Sequence, residues 1–210
     1  QHAQFRRQRQ MCIRDSQYVA QYTSYETPTF YKVTALWAGQ AGSLLFWSFI
    51  TSLFTIIYIF KTLKVMENLK FNSYLILTFI FSFFIILSSF IANPFEPVSS
   101  DIVVQNGNGL NPLLQNFFMA IHPPILYVGF TGSTIIFVMA MAASISKNVS
   151  FEWVRSIRRW SLIVWTFLSA GIILGGYWAY NELGWGGYWA WDPVENSSLM
   201  PWLTLTAFIP

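Results

Sequence analysis

The amino-acid sequence predicts an all-α fold, a polytopic transmembrane helical bundle of about five spans with the last one incomplete, and three observations carry that prediction. Only 10% of the 210 residues are charged, against roughly 25% in a soluble domain, while 54% are apolar and the mean hydropathy is +0.45. The charges are also segregated. No Asp, Glu, Lys, Arg or His stands between Lys32 and Lys61 or between Lys70 and Glu96, and each gap is longer than the ~20 apolar residues that cross a bilayer. Finally, lysine and arginine gather in alternate connections, as they do in a chain threaded back and forth through a membrane.

Taken in order, residues 1 to 16 form a basic tail with Arg6, Arg7, Arg9 and Arg14 beside a single Asp15. The tail lacks the apolar core of a secretory signal. Without it the remaining chain balances 8 basic against 8 acidic residues (12 minus 4, 9 minus 1). The tail therefore reads as a segment foreign to the fold, with a genuine disordered basic tail as the alternative, and the fold proper begins at residue 17. The first two spans are Ala41 to Phe60 and Phe71 to Ala92. Between Ile102 and Ser146 the only titratable side chains are His122 and Tyr127, but Gln105-Asn106-Gly107-Asn108-Gly109 is turn chemistry that hydrocarbon would leave unpaired. A short helix is therefore expected near Pro112 and the third span from about Pro124 to Ile145. A fourth span is expected from about Arg159 to Tyr180, and a fifth from Pro193 that is still running at Pro210.

Sidedness follows from the basic connections. Lys61, Lys64 and Lys70 face one Glu67 after the first span, and Lys147, Arg155, Arg158 and Arg159 face Glu152 after the third. These two loops are assigned to the cytoplasm. Segments 93 to 120 and 181 to 192 carry Glu96, Asp101, Glu182 and Asp192 without any Lys or Arg, which is the pattern of the outer face. A single cysteine, Cys12, excludes an internal disulfide framework or a cysteine metal site. No phosphate loop, nucleophile and base pair or zinc spacing is present, no catalytic side chain stands out, and nothing points to nucleic acid. With His2 in the tail, metal or cofactor chemistry has to lean on His122 or on groups outside the chain.

Two segments could carry chemistry. In Ile121-His122-Pro123-Pro124-Ile125-Leu126-Tyr127 the tandem prolines forbid helix through position 123 and suit the first turn of a new one, so His122 is expected at a forced break at the outer surface. Its neutral imidazole is a competent iron ligand; an interfacial histidine hydrogen-bonded to a freed carbonyl is the plainer alternative. In the run from Gly184 to Glu195, Trp185, Trp189 and Trp191 are separated by glycines, among them Gly186 and Gly187. An interfacial aromatic belt would explain some tryptophan here, but this density suits an open wall against which a flat apolar ligand stacks, with the glycines admitting its close approach. Asp192-Pro193-Val194-Glu195 reads as a helix start, with Asp192 as cap and Glu195 as its partner. The positive end of the last helix could then hold an anionic group of that ligand. Gly171, Gly175 and Gly176 read as close helix packing, and Met200 and Phe208 as ordinary helix-face packing.

Three stretches, Leu110 to Gln115, His122 to Phe130 and Trp178 to Asn196, together with Trp37 to Trp47 upstream, resemble the CcmF/NrfE branch of the haem-handling proteins of c-type cytochrome maturation, with its tryptophan-rich WWD motif. The resemblance covers residues 17 to 210. It implies a haem lyase in the bacterial inner membrane that takes haem b from the chaperone CcmE and joins it to the two thiols of a Cys-X-X-Cys-His motif in apocytochrome c, alongside maturation subunits such as CcmH. It further implies that Trp185 to Asp192 form the periplasmic haem platform, with Trp185, Gly186, Gly187, Trp189, Trp191 and Asp192 as its residues, and that His122 is an axial iron ligand. Members of the family begin with additional helices and continue well beyond Pro210, where their other ligating histidines lie. The resemblance thus implies an N-terminal fragment, inactive alone. A related CcmC-type protein, which delivers haem without attaching it, is the second reading.

Overall fold

A computed structural model describes residues 15–99, 105–184 and 186–209. The arginines of the basic tail, His2, Cys12, Asp101 and Trp185 lie outside the described residues. Among those described, seven α-helices follow one another: α1 (Gln17–Tyr22), α2 (Thr29–Thr34), α3 (Gln40–Ile57), α4 (Lys70–Ile86), α5 (Phe117–Ser146), α6 (Phe151–Glu182) and α7 (Pro193–Phe208). α3 and α4 each run on into a π-helical turn, Tyr58–Leu63 and Leu87–Ile91. Four helical stretches are long and apolar enough to cross a membrane: Gln40–Leu63, Glu67–Ile91, Phe117–Ser146 and Phe151–Glu182. The protein is an integral membrane helical bundle. The 16 residues of α7 rise roughly 24 Å, and Ile209 is its C-terminal cap.

Two expected boundaries are corrected. α5 starts at Phe117, where the Asn116 carboxamide oxygen accepts the Phe118 N–H at 2.7 Å, and it continues through Pro123 and Pro124. The forced break and a helix start near Pro124 are therefore not observed. The prolines deprive only the carbonyls of Met119 and Ala120 of their i+4 partners, near the start of the helix, and neighbouring groups or water readily serve such carbonyls in membrane proteins. Likewise α6 starts at Phe151, capped by Ser150 Oγ on the Trp153 N–H at 3.2 Å. Arg155, Arg158 and Arg159 thus ride on its first turns, with aliphatic stems that can run along the helix while their charges stay in water.

The chain divides into two compact units, residues 1–46 with 84–120 and residues 47–83 with 121–210. In the first, Tyr18 and Tyr22 of α1 meet at a tilt of 41° with ring centroids 4.7 Å apart, against the approach to α3. The Tyr18 hydroxyl accepts the Gly39 N–H and donates to the Ala35 carbonyl, both at 3.0 Å, and a Cβ at Gly39 or Gly42 would overlap Tyr22 or Tyr18. The turn chemistry of 105–109 pairs with the N-terminal segment. Asn106 accepts from Tyr25 N–H at 3.0 Å and donates to Glu26 at 2.9 Å, and the Asn108 N–H donates to the Ala20 carbonyl at 2.8 Å.

The second unit has a core of Tyr58, Leu63, Leu77, Ile135, Val138, Met139, Val164 and Leu168. α5 and α6 approach closely because Gly129 and Gly132 face Leu168 and Val164, and Gly171 faces the backbone of Leu126 at 2.8 Å from where a Cβ would stand. At one end the two basic connections meet: the Asn72 carboxamide donates to Ser146 Oγ at 2.7 Å, and Trp160 Nε1 donates to Thr62 Oγ1 at 3.2 Å. From His122 to Ser146 α5 rises roughly 36 Å, about a membrane thickness, so His122 stands at the end away from the basic loops. Outward faces are apolar, with Phe60, Phe71, Phe79 and Phe83 exposed, as lipid rather than water requires.

Candidate functional site

The glycine-mediated crossing of α5 and α6 brings His122, early in α5, beside the last turns of α6. There its imidazole stacks on Trp178, with ring centroids 5.6 Å apart and planes 27° from parallel. Gly175 passes the edge of the same ring: a Cβ there would stand 3.4 Å from Cδ2 and 3.7 Å from Nε2. Gly176 lets the Tyr188 carbonyl approach to 3.0 Å from its missing Cβ. Of the three glycines read as helix packing, Gly171 plays that part, whereas Gly175 faces the histidine and Gly176 faces the following loop.

That loop joins α6 to α7. Gly184 and Gly186 hold φ of +71° and +73° with nothing within 4 Å of an added Cβ, so they turn the chain and leave its backbone open. Tyr188 stacks flat on Tyr180 at 4.5 Å and 10°. Trp191 is 68% exposed, holds φ +59°, and meets Trp189 edge-on at 5.8 Å and 86°. The Trp191 carbonyl is pinned by the Asn196 carboxamide at 2.9 Å. Then α7 begins with the expected capping box: Asp192 Oδ1 accepts the Glu195 N–H at 2.7 Å, and Glu195 Oε2 accepts the N–H groups of Asp192 at 3.2 Å and Ala190 at 2.8 Å. Farther along, Trp202 Nε1 donates to Ser169 Oγ at 2.7 Å and Trp165 Nε1 to Thr206 Oγ1 at 2.8 Å, fastening α7 to α6.

The cap occupies Asp192, as the sequence reading required. The N-terminus of α7 offers about half a positive charge, and it meets two carboxylates of its own with the adjacent loop amides.

Three of the residues singled out from sequence, His122, Trp189 and Asp192, line one cleft, together with Trp178, Glu195 and Ser198. The indole N–H of Trp189 is buried without an acceptor among the described residues. Trp191, Gly186 and Gly187 do not line it; they lie on the loop beside it. The cleft volume is about 80 Å³, room for a few waters but not for a macrocycle, so a large flat ligand would lie across the exposed loop. Sequence reasoning passed over Trp178 and Gly175 as site residues; their three-residue spacing places both on one face of α6, a usable signal. Met200 and Phe208, expected to pack, are exposed instead, since a membrane helix turns apolar side chains outward as readily as inward.

Fold and site define a class: a polytopic helical membrane protein that presents one imidazole and an aromatic loop at the end of its spans away from the basic connections. The family described as Cytochrome C assembly protein matches residues 37–209, and the chain belongs to that family, in its CcmF/NrfE branch. It is 43% identical over 187 residues to the cytochrome c-type biogenesis protein NrfE of Haemophilus influenzae, covering 89% of this chain and 29% of that one. With CcmF of Escherichia coli it shares 38% identity over 192 residues, covering 91% and 30%. Among solved structures it is similar to the cytochrome c heme lyase CcmF, with a TM-score of 0.68 and 36% identity over 87% of this chain and 28% of that one. The chain thus spans less than a third of the length of these relatives.

Proposed function

We propose that this chain is the part of a haem lyase that holds haem b as substrate at the periplasmic face of the bacterial inner membrane and presents it to the Cys-X-X-Cys-His thiols of apocytochrome c. The observation that carries the reading is the convergence of His122 and Trp189 on one cleft beside the exposed, glycine-opened aromatic loop. The residues fit the ligand: a single imidazole, a donor at Trp189 lacking an acceptor among the described residues, and open backbone at Gly184 and Gly186 with Trp191 exposed beside it. Family membership and the names of the relatives support the same reading.

Haem supplies two vinyl groups, and each cysteine S–H adds across one C=C, forming an S–C bond with nothing leaving. The chain's own part is to bind and orient. His122 offers a neutral nitrogen to the iron. Trp189 and Trp191, with Trp185, offer apolar aromatic rings to the ligand and exclude water, while Gly186 and Gly187 let the backbone come close. Asp192 keeps the loop in place through its cap. Holding both reactants in register is a large share of such catalysis. In this reading CcmE delivers the haem, and subunits such as CcmH bring the apocytochrome. One histidine in residues 17–210 leaves the opposite axial position to a ligand from elsewhere, so the 210-residue chain alone holds haem weakly and makes no thioether.

The test is haem titration of the chain in detergent. Binding should be weak, shifted by free imidazole, and lost in His122→Ala. Binding unchanged by that substitution, or a stable bis-histidine spectrum that persists without residues 1 to 16, would overturn the reading.

A further inference from the structure

We infer that Trp178 is a positioning residue for His122, a flat seat that fixes the plane of the imidazole; the inference rests on the haem-binding reading above. A metal bond to imidazole lies in the plane of the ring, so the ring plane sets the direction in which the nitrogen can bind. A helical backbone does not set that plane, because the outer torsion of histidine is broad. Something must hold it, and the structure supplies the holder. The indole of Trp178 lies nearly parallel to the ring at 5.6 Å and 27°, an offset stack of the kind aromatic rings prefer.

The other half of the arrangement is Gly175, three residues earlier on the same face of α6. Where any other residue would place a Cβ, 3.4 Å from Cδ2 and 3.7 Å from Nε2, glycine leaves room at the edge of the ring that carries Nε2. The indole supports one face of the imidazole, and Gly175 adds no side chain at the Cδ2–Nε2 edge. Trp178 is half-buried and lines the cleft with His122, whereas Trp191 on the exposed loop is free to meet a ligand directly. Trp178 acts through the histidine.

Chemical rescue separates this role from a merely structural one. In the 210-residue chain in detergent, His122→Gly should bind haem only when free imidazole is added, because imidazole fills the vacated space against the indole. The imidazole needed for half-restoration should rise roughly three- to tenfold in His122→Gly/Trp178→Leu, the worth of one aromatic stack. With His122 in place, Trp178→Phe should keep the optical spectrum and Trp178→Leu should weaken haem binding by a similar factor. If the Leu variants do not fold, Trp178→Met against Trp178→Phe decides by the same measure, since Met fills volume without a flat face. Equal imidazole requirements with and without the aromatic ring overturn the positioning role. Haem binding indifferent to His122→Gly overturns instead the reading on which it rests, and the inference with it.

Discussion

A tryptophan at φ +59° is a backbone outlier, because a bulky side chain in the left-handed region is strained by about 1–3 kcal/mol. Trp191 bears that strain while 68% exposed, so its side chain returns little packing to the fold. Trp191→Asn, which tolerates the conformation, should raise unfolding stability by about 1 kcal/mol and at the same time lower the haem recovered with the protein. A fall in both stability and haem content would mean that Trp191 is a packing residue. The opposite holds at Gly171, where the Leu126 backbone stands 2.8 Å from a missing Cβ. Gly171→Leu should cost at least about 1–3 kcal/mol by overpacking, seen as a lower midpoint in thermal denaturation. The composition of the tryptophan-rich run was legible from sequence. The strain at Trp191 was not, because it depends on where the helix start at Asp192 forces the loop to turn.

At the scale of the element, α7 shows how a motif can be read for its chemistry and still have a structural task. Asp192 and Glu195 look like paired carboxylates, yet each satisfies a backbone N–H of the helix start. Asp192→Asn keeps an acceptor and should leave haem recovery and stability near the parent values. Asp192→Ala removes it, at a cost of about 0.5–2 kcal/mol, and should lower haem recovery because the loop loses its anchor. Equal losses in the two variants would assign the charge itself a role. In the first unit, donation by the Asn106 carboxamide holds the Glu26 carboxyl below its usual range. A depressed carboxyl favours the folded contact at neutral pH and loses that advantage as pH falls through the folded value. The 105–109 turn should therefore loosen in acid, measured as faster amide exchange at Gly107 and Asn108, and Glu26→Gln should flatten the pH dependence. The prolines of α5 carry the opposite lesson. A helix break was inferred from local rules that hold in water, and the helix continues because only two carbonyls near its start lose partners.

For the whole molecule, the two basic connections meet at one end of the second unit, and His122 stands about a membrane thickness away. With Cys12 replaced by Ala, single cysteines at Lys64 and Arg155 should resist an impermeant thiol reagent in intact cells, while one at Gln105 should react. The reverse pattern would place His122 on the cytoplasmic side. Apolar surface on α3 and α4, including Phe60, Phe71 and Phe79, faces the bilayer in this arrangement.

By itself the sequence determined the solvent, the presence of the long apolar helices, the cap of α7 and the candidates His122 and Trp189. Each of these depends on composition or on spacing within one segment, where charge, turn chemistry and helical period act locally. Only the tertiary structure decided that α5 runs through Pro123 and Pro124, that Tyr18 and Tyr22 dock on Gly39 and Gly42, and that Trp178 and Gly175 of α6 frame a histidine of α5. These depend on pairs brought together by packing between segments far apart in the chain, and a glycine in sequence does not disclose which neighbour its missing Cβ admits.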